Sequence, residues 1–115
     1  MSSEKHTLSG NTTMLILKLL EEKDMYGYQI IEELAEKSQQ LFQLKTGTLY
    51  PLLHGLEKSG KVTSYEEHVE GQKVRRYYQL TKQGRGLLME KQANWDSYTK
   101  AVGSIMQGGG HYAFA

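Results

Sequence analysis

Apolar residues recur with helical spacing through the first half of this chain, and the earliest such segment is the most apolar. It follows polar residues at 11–13 that suit helix capping, and we expect the helix to end at 22–24. Its apolar residues occupy more than one helical face: Met14, Leu15, Ile16, Leu17, Leu19 and Leu20. This breadth predicts contact with something beyond one small core, such as a second subunit.

The second and third helices are each predicted from a single apolar stripe. One is expected over 26–37, on the stripe Tyr26, Ile30, Ile31 and Leu34. The other is expected to open between Thr46 and Thr48, either of which can cap it, with Pro51 in its first turn and Gly60 as a left-handed cap beyond its end. Its buried stripe is Leu49, Leu52, Leu53 and Leu56.

The helical pattern gives way after residue 60 to two short runs, 61–66 and 74–80, that favour strands. The polar, glycine-containing segment 67–73 between them is typical of a hairpin loop. We therefore expect a β-hairpin directly after the third helix.

A long final helix is predicted from its cap, Thr81, to about Met106, where the glycines at 108–110 should end it. Apolar residues along it are spaced by seven, three, four and three, an a/d seam interrupted by Lys91: Leu88, Trp95, Tyr98, Val102 and Ile105. One chain of this size offers little to bury such a seam, so it predicts a two-fold dimer in which the first helix also takes part. Packing of the seam within one subunit is the alternative.

This order of elements is that of a winged helix-turn-helix, in which the third helix enters the major groove of DNA and the hairpin, or wing, touches the flanking backbone. We expect a mainly α fold with a β-hairpin wing and a long C-terminal dimerisation helix. The expected organisation is a flexible arm at 1–10, a DNA-binding domain at 11–80, the dimerisation helix at 81–107 and a flexible tail at 108–115.

Composition excludes several other classes of protein. The 115 residues suffice for one domain, and the absence of cysteine excludes disulfides and thiolate metal sites. No stretch approaches the ~20 apolar residues of a membrane span, and the first ten residues lack the apolar region of a secretory signal. A cytoplasmic protein is expected.

Signals of catalysis are weak. The histidines at 6, 54, 68 and 111 share no metal-ligand spacing, and the Gly-Arg-Gly segment at 84–86 is too short for a phosphate loop. We expect neither an enzyme nor a metal or other cofactor.

Charge is distributed unevenly along the chain. Residues 1–44 carry four Lys and seven acids, a net of −3, whereas residues 45–115 carry ten Lys or Arg and six acids, a net of +4. The basic surplus thus begins with the third helix, although ordinary solvated surface would also explain it.

The wing concentrates three cations and two tyrosines within residues 72–78. Strand alternation places Lys73 and Arg75 on one face and Val74 and Arg76 on the other, so one face can meet phosphate. A solvated edge strand protected by charge is the alternative interpretation.

On the third helix, the exposed side offers further donors: Lys45, Thr46, Thr48, Tyr50, His54 and Lys58. None is the Arg, Asn or Gln of a strong bidentate base contact, so DNA shape and backbone contacts would carry much of the specificity.

Four segments together resemble the PadR family of bacterial transcriptional regulators: MYGYQI at 25–30, TGTLYPLL at 46–53, LEKSG at 56–60 and RRYYQLT at 75–81. The resemblance spans roughly residues 8–106 and points to the smaller subfamily with a single dimerisation helix. It implies a dimeric winged-helix regulator, usually a repressor. The DNA contacts that it implies are Tyr28, Lys45, Thr46, Gly47, Thr48, Tyr50, Pro51, His54, Lys58, Lys73, Arg75 and Arg76. For Tyr26 and Tyr78 we favour a role in the core.

The same resemblance suggests an effector site, because smaller family members hold flat aromatic drugs at the dimer centre between tryptophans of the last helix. Trp95 lies at the matching place, with Leu15, Leu19 and Tyr98 as neighbours; the alternative is that Trp95 simply fills the interface. A second functional hypothesis is a module that uses the winged helix only to dimerise or to dock a protein. The basic wing argues against that module, which has no need of three clustered cations.

Overall fold

The computed structural model describes the backbone of residues 2–112 and the side chains of residues 11–108 except 69 and 72. Within this range the chain forms four helices and a three-stranded sheet: α1 (Ser2–Glu22), β1 (Met25–Tyr26), α2 (Gly27–Lys37), α3 (Thr46–Lys58), β2 (Val62–Val69), β3 (Lys73–Leu80) and α4 (Lys82–Tyr112). The predicted winged-helix order, with its hairpin after the third helix and its long last helix, is confirmed.

The sheet is antiparallel with the order β1-β3-β2, so β3 is its central strand. Its inward face carries four buried side chains: Met25, Val62, Tyr78 and Leu80. Opposite pairs on the other face align Tyr26 and Tyr65 with Tyr77. The second helix begins within one residue of its predicted start, with Tyr26 as its N-cap, but the pairing of Met25 and Tyr26 with β3 was not predicted.

One continuous core joins the helices to the inward face of the sheet. It contains most of the predicted stripes of α2 and α3, represented by Ile30, Leu49 and Leu53, which have no exposed surface. Tyr26 of the predicted stripe lies outside this core. From α1 the core takes Ile16, Leu17, Leu19 and Leu20, and from α4 Leu88. The broad apolar surface of α1 is thus largely used within the chain, because this helix packs against α2, β3 and α4.

Both terminal helices extend further than predicted. α1 begins at Ser2, so the expected capping at 11–13 was wrong, and Thr12 is buried within the helix. α4 runs through the glycines at 108–110 to Tyr112 rather than ending near Met106. Once a helix exists, each added residue gains a backbone hydrogen bond, and a single glycine costs only about 1 kcal/mol relative to alanine. The division into arm, DNA-binding domain, dimerisation helix and tail stays a prediction.

The ends of α3 show one wrong cap and one correct cap. Lys45 rather than a threonine is the N-cap and makes no side-chain capping bond, so Pro51 lies in the second turn and not in the first. The helix therefore lacks the hydrogen bond that a residue with an N–H at position 51 would donate to Gly47. Gly60 adopts the predicted left-handed conformation, with φ of 79°.

The wing is longer than predicted, because strand pairing continues to Val69 and Lys73. A three-residue 3-10 turn, Glu70–Gln72, replaces the expected seven-residue loop, and Gly71 takes a positive φ of 79° within it. Thr81 caps α4 as predicted: its hydroxyl accepts a hydrogen bond from the Gly84 N–H at 3.0 Å and donates to the Gly60 carbonyl at 2.6 Å.

Candidate nucleic-acid interface

An open cleft of about 680 Å³ lies between the start of α2, the face of α3 and strand β3. Half of the twelve predicted DNA contacts line it: Tyr28, Tyr50, His54, Lys73, Arg75 and Arg76. The fold thus brings together predicted contacts from the second helix, the third helix and the wing. Sequence reasoning missed Glu32 and Val74, which also line the cleft. Glu32 lies one helical turn after Tyr28, and Val74 is next to Arg75 in the chain.

The other six predicted contacts are exposed on α3 or at its cap and do not line the cleft: Lys45, Thr46, Gly47, Thr48, Pro51 and Lys58. The first turn of α3 presents backbone N–H groups that have no partner within the helix. Such N–H groups, with the positive end of the helix dipole, suit a phosphate oxygen. Whether these six residues contact DNA stays a prediction.

Gly27 allows the start of α2 to approach α3 closely. A Cβ built on Gly27 would collide with the hydroxyl of Tyr50 and would lie 2.6 Å from the ring carbon that bears it. The Tyr50 ring therefore depends on the missing side chain at Gly27. Tyr28, the next residue, is 62% exposed at the mouth of the cleft.

Arg75 lies over an aromatic ladder on the outer face of the sheet. Its guanidinium carbon is 4.2 Å from the centre of the Tyr26 ring, a cation–π arrangement. Tyr26 meets Tyr77 edge to face at 5.4 Å, and Tyr77 stacks on Tyr65 at 5.7 Å. The expectation that Tyr26 is a core residue was wrong, because its ring lies half-buried beneath Arg75 instead.

Arg76 points to the opposite face, as strand alternation predicts. Its Nη1 donates to Ser64 Oγ at 2.8 Å, and Ser64 Oγ donates to Glu57 Oε2 on α3 at 2.7 Å. Its Nη2 forms an ion pair with Glu66 at 3.3 Å. The pKa of nearby Tyr78 is raised, chiefly because the side chain is buried. The positive charge of Arg76 opposes this increase in pKa, and the negative charge of Glu57 adds to it. Sequence reasoning had no signal for these partners, because the register of the hairpin decides them.

The ladder ends in a carboxylate, which gives a pH prediction. Tyr65 donates to Asp24 Oδ2 at 2.7 Å, and this hydrogen bond raises the pKa of Tyr65 to about 12. Because the folded pKa exceeds the usual 10, the stabilisation is complete below pH 10 and is lost as the pH rises towards 12. Because the pKa of Tyr78 is also raised, we expect phenolate absorbance to show more than one late-titrating tyrosine, and Tyr65→Phe should lack one of them. An unchanged titration curve in that variant would contradict this assignment.

The predicted interface residues of α4 fall into two groups. Leu88 is 2% exposed in the core of its own chain, so its assignment to an exposed seam was wrong: the first turns of α4 pack on α1 and β3. The remaining seam residues are exposed on the isolated chain: Trp95, Tyr98, Val102 and Ile105. Their place in a dimer stays a prediction.

The suggested effector residues are divided in the same way. The rings of Trp95 and Tyr98 lie 5.9 Å apart at a tilt of 32°, exposed on α4. Leu19 is buried in the core, and Leu15 is partly buried against it. Of the four suggested effector residues, Trp95 and Tyr98 are thus the two that are exposed on the single chain.

Within the part of the chain that the structure describes, no group of three or more acidic, histidine or cysteine side chains is arranged to hold a metal ion. No helix there has the length and apolar character required to cross a membrane.

Comparison with known proteins supplies the family. The model of the transcriptional regulator PadR-like family matches residues 16–90, which include α2, α3, the wing and the start of α4. The chain belongs to the PadR-like family. Its members are transcriptional regulators, a class of proteins that are generally not enzymes.

Individual relatives agree with this family. The chain is 32% identical over 87 residues to the transcriptional regulator Rv3488 of Mycobacterium tuberculosis, covering 76% of this chain and 78% of that protein. A transcriptional regulator from Clostridium thermocellum is 33% identical, with a TM-score of 0.78 over 86% of this chain and 96% of that one. A PadR family regulator from Eggerthella lenta is 32% identical, with a TM-score of 0.76 over 91% and 86% of the two chains.

Proposed function

We propose that this PadR-like regulator binds a double-stranded DNA operator as a homodimer and represses transcription. The observation that carries the proposal is the cleft, which gathers the wing cations Lys73 and Arg75 beside Tyr28 and Tyr50 of the helices. Cationic and hydroxyl groups together are the usual ligands of the DNA backbone. The family assignment supports DNA binding independently of this geometry.

In the proposed complex α3 lies in the major groove, and the wing contacts the flanking backbone. Tyr28 and Tyr50 offer hydroxyl donors to phosphate, and His54 lies on the exposed side of α3 where base edges would be read. Glu32 is the opposing charge in the cleft, and its carboxylate weakens attraction to a phosphate bound there.

The test is binding to the chain's own promoter region and to a scrambled duplex across a salt series. Wild type should prefer the promoter, and the double variant Lys73→Ala, Arg75→Ala should weaken binding at least about 10-fold. The slope of log affinity against log salt should fall by about 0.9 for each phosphate that the variant no longer neutralises. Since Lys37 and Lys100 lie outside the cleft, Lys37→Ala, Lys100→Ala removes the same charge as a control.

The competing hypothesis is a protein-docking module that does not bind an operator. It predicts equal, weak binding of wild type to both duplexes and the same small effect of both double variants. That result would contradict the repressor proposal, since the wing cations would then have no specific target.

The exposed aromatic pair on α4 supports a second proposal, release of DNA by a planar aromatic effector. Trp95 and Tyr98 present ring surface that a flat ligand could cover between two subunits. The promoter assay tests this when a planar aromatic dye is titrated into the complex. Release from wild type but not from Trp95→Ala would support an effector site there.

A further inference from the structure

The two adjacent wing arginines have different surroundings, although the family resemblance implies DNA contacts for both. Arg75 touches an aromatic ring, whereas Arg76 touches polar groups that reach the third helix. They lie on opposite faces of β3, so a backbone phosphate that approaches one face cannot meet both in the same way.

The contact of Arg75 restricts its position and leaves its hydrogen-bond donors unused. Tyr26 supports the guanidinium from below at 4.2 Å, and the ring is itself held by Tyr77. Within the side chains described over residues 11–108, Arg75 makes no hydrogen bond or ion pair. A flat cation with free donors and a fixed position is well suited to a phosphate, because little side-chain entropy remains to be lost.

The contacts of Arg76 occupy it within the protein. One nitrogen donates to Ser64, which passes the interaction to Glu57 on α3, and the other nitrogen pairs with Glu66. The chain of groups Arg76–Ser64–Glu57, here called the wing tether, therefore joins β3 to β2 and β2 to the third helix. Both hydrogen bonds of the tether have ordinary lengths, 2.8 Å and 2.7 Å.

The tether also accounts for an acidic residue on a helix that should face DNA. Electrostatics alone makes a carboxylate at Glu57 unfavourable beside phosphates. As the acceptor of the Ser64 hydroxyl, however, Glu57 fixes the angle between the hairpin and α3. Glu32 lines the cleft and forms no ion pair with any side chain that the structure describes, so it provides a comparison for Glu57.

We infer that Arg76 is a positioning residue, which holds the wing against the third helix through Ser64 and Glu57, whereas Arg75 on the Tyr26 ring is the phosphate contact. The inference rests on the proposed function and assigns different roles to two residues within it. Removal of Arg75 takes away a charge that meets phosphate, and removal of the tether lets the wing move without taking such a charge away.

The experiment measures promoter affinity against salt for wild type, Arg75→Ala, Arg76→Ala and the uncharged change Ser64→Ala. For a dimer, Arg75→Ala should reduce the salt slope by about 1.8, that is about 0.9 for each of two phosphate contacts. Arg76→Ala removes one hydrogen bond of the tether and the ion pair with Glu66, whereas Ser64→Ala removes both hydrogen bonds of the tether. Both variants should weaken binding about 3- to 10-fold, with the slope unchanged. Thermal unfolding of each variant confirms that it is folded.

A pair of acidic variants separates positioning from charge. Glu57→Ala and Glu32→Ala each remove one negative charge from the DNA-facing side, so charge alone predicts tighter binding for both. The inference predicts tighter binding for Glu32→Ala only, and weaker binding for Glu57→Ala.

The outcomes distinguish this inference from the proposed function. A wild type that binds no duplex in a salt-dependent way would end both. Two results would overturn the inference and leave the repressor proposal standing, provided that wild type binds the promoter. In the first, Arg76→Ala lowers the salt slope as much as Arg75→Ala does. In the second, Glu57→Ala binds as tightly as Glu32→Ala.

Discussion

A Val102→Glu variant is expected to be monomeric and to bind a two-half-site operator about 10²- to 10⁴-fold more weakly than wild type. The effect follows from multivalency: once one subunit is bound, the second binds its half-site at high effective concentration, and a monomer forgoes that gain. No DNA contact is altered, so the affinity for a single half-site should remain that of wild type.

Val102 lies on the part of α4 that does not pack against its own chain. From Trp95 onward the helix leaves the core, and its seam residues are exposed on the isolated chain; Val102 is 40% exposed and Ile105 74%. Two such seams packed together would bury these side chains, and a carboxylate at the centre would be buried without a partner. Each two-fold interface would contain that charge twice.

Sedimentation velocity and operator titration check this prediction. Ser97→Glu is the matched control, because it adds the same charge to an exposed position of the same helix on a different face from Val102. The control should remain a dimer with wild-type affinity. A dimeric Val102→Glu protein would mean that subunits associate through another surface, and it would remove the basis of the seam assignment.

Periodicity was sufficient to predict the helices and the hairpin because those elements bury a continuous stripe or face. Ile30, Leu49 and Leu53 are buried as their spacing requires. The two-residue strand β1 is too short to show any alternation, and only its pairing with β3 makes it a strand. Helix ends were poorly predicted for a similar reason: a suitable cap such as Thr12 can equally lie inside a helix that continues past it.

The candidate site, like the fold, was predicted only in part. Residue type and motif indicated the cations and tyrosines of the cleft, because phosphate recognition requires particular side chains. Contacts between distant segments gave no such signal: Arg75 meets Tyr26 only because β1 pairs with β3, and Ser64 reaches Glu57 only because of the hairpin register. Sequence therefore indicated which residues are suited to binding, and the fold is needed to know which residues position them.

Gly84→Ala is expected to destabilise the protein by about 3 kcal/mol, the upper part of the range for an overpacked core. Gly84 is buried, and a Cβ there would collide with the Lys61 carbonyl oxygen and lie 2.6 Å from a Leu80 methyl carbon. The carbonyl cannot yield easily, because it accepts a hydrogen bond from the backbone N–H of Thr81 at 3.1 Å. Gly84, the first glycine of the Gly-Arg-Gly segment at 84–86, is thus a packing residue of α4.

Gly86→Ala, two residues further along α4, gives the opposite expectation. A Cβ at Gly86 meets no atom within 4 Å, so only the helix preference remains, and the variant should be more stable by about 0.5–1 kcal/mol. Urea unfolding at one fixed protein concentration compares the two variants, because the stability of a dimer depends on concentration. Equal stability of the two alanine variants would show that the Lys61 contact does not limit the approach of α4.

The same contact would link stability to the proposed DNA recognition. The cap at Thr81 and the close approach at Gly84 fix the start of α4 against Lys61, just before β2, and α4 in turn carries the proposed dimer seam. A displaced α4 would change the separation of the two wings, whereas operator half-sites have a fixed spacing. Folded Gly84→Ala dimer should therefore lose affinity for the two-half-site operator while keeping its affinity for one half-site, and Gly86→Ala should retain both. Weaker binding to one half-site would instead place the damage within the wing.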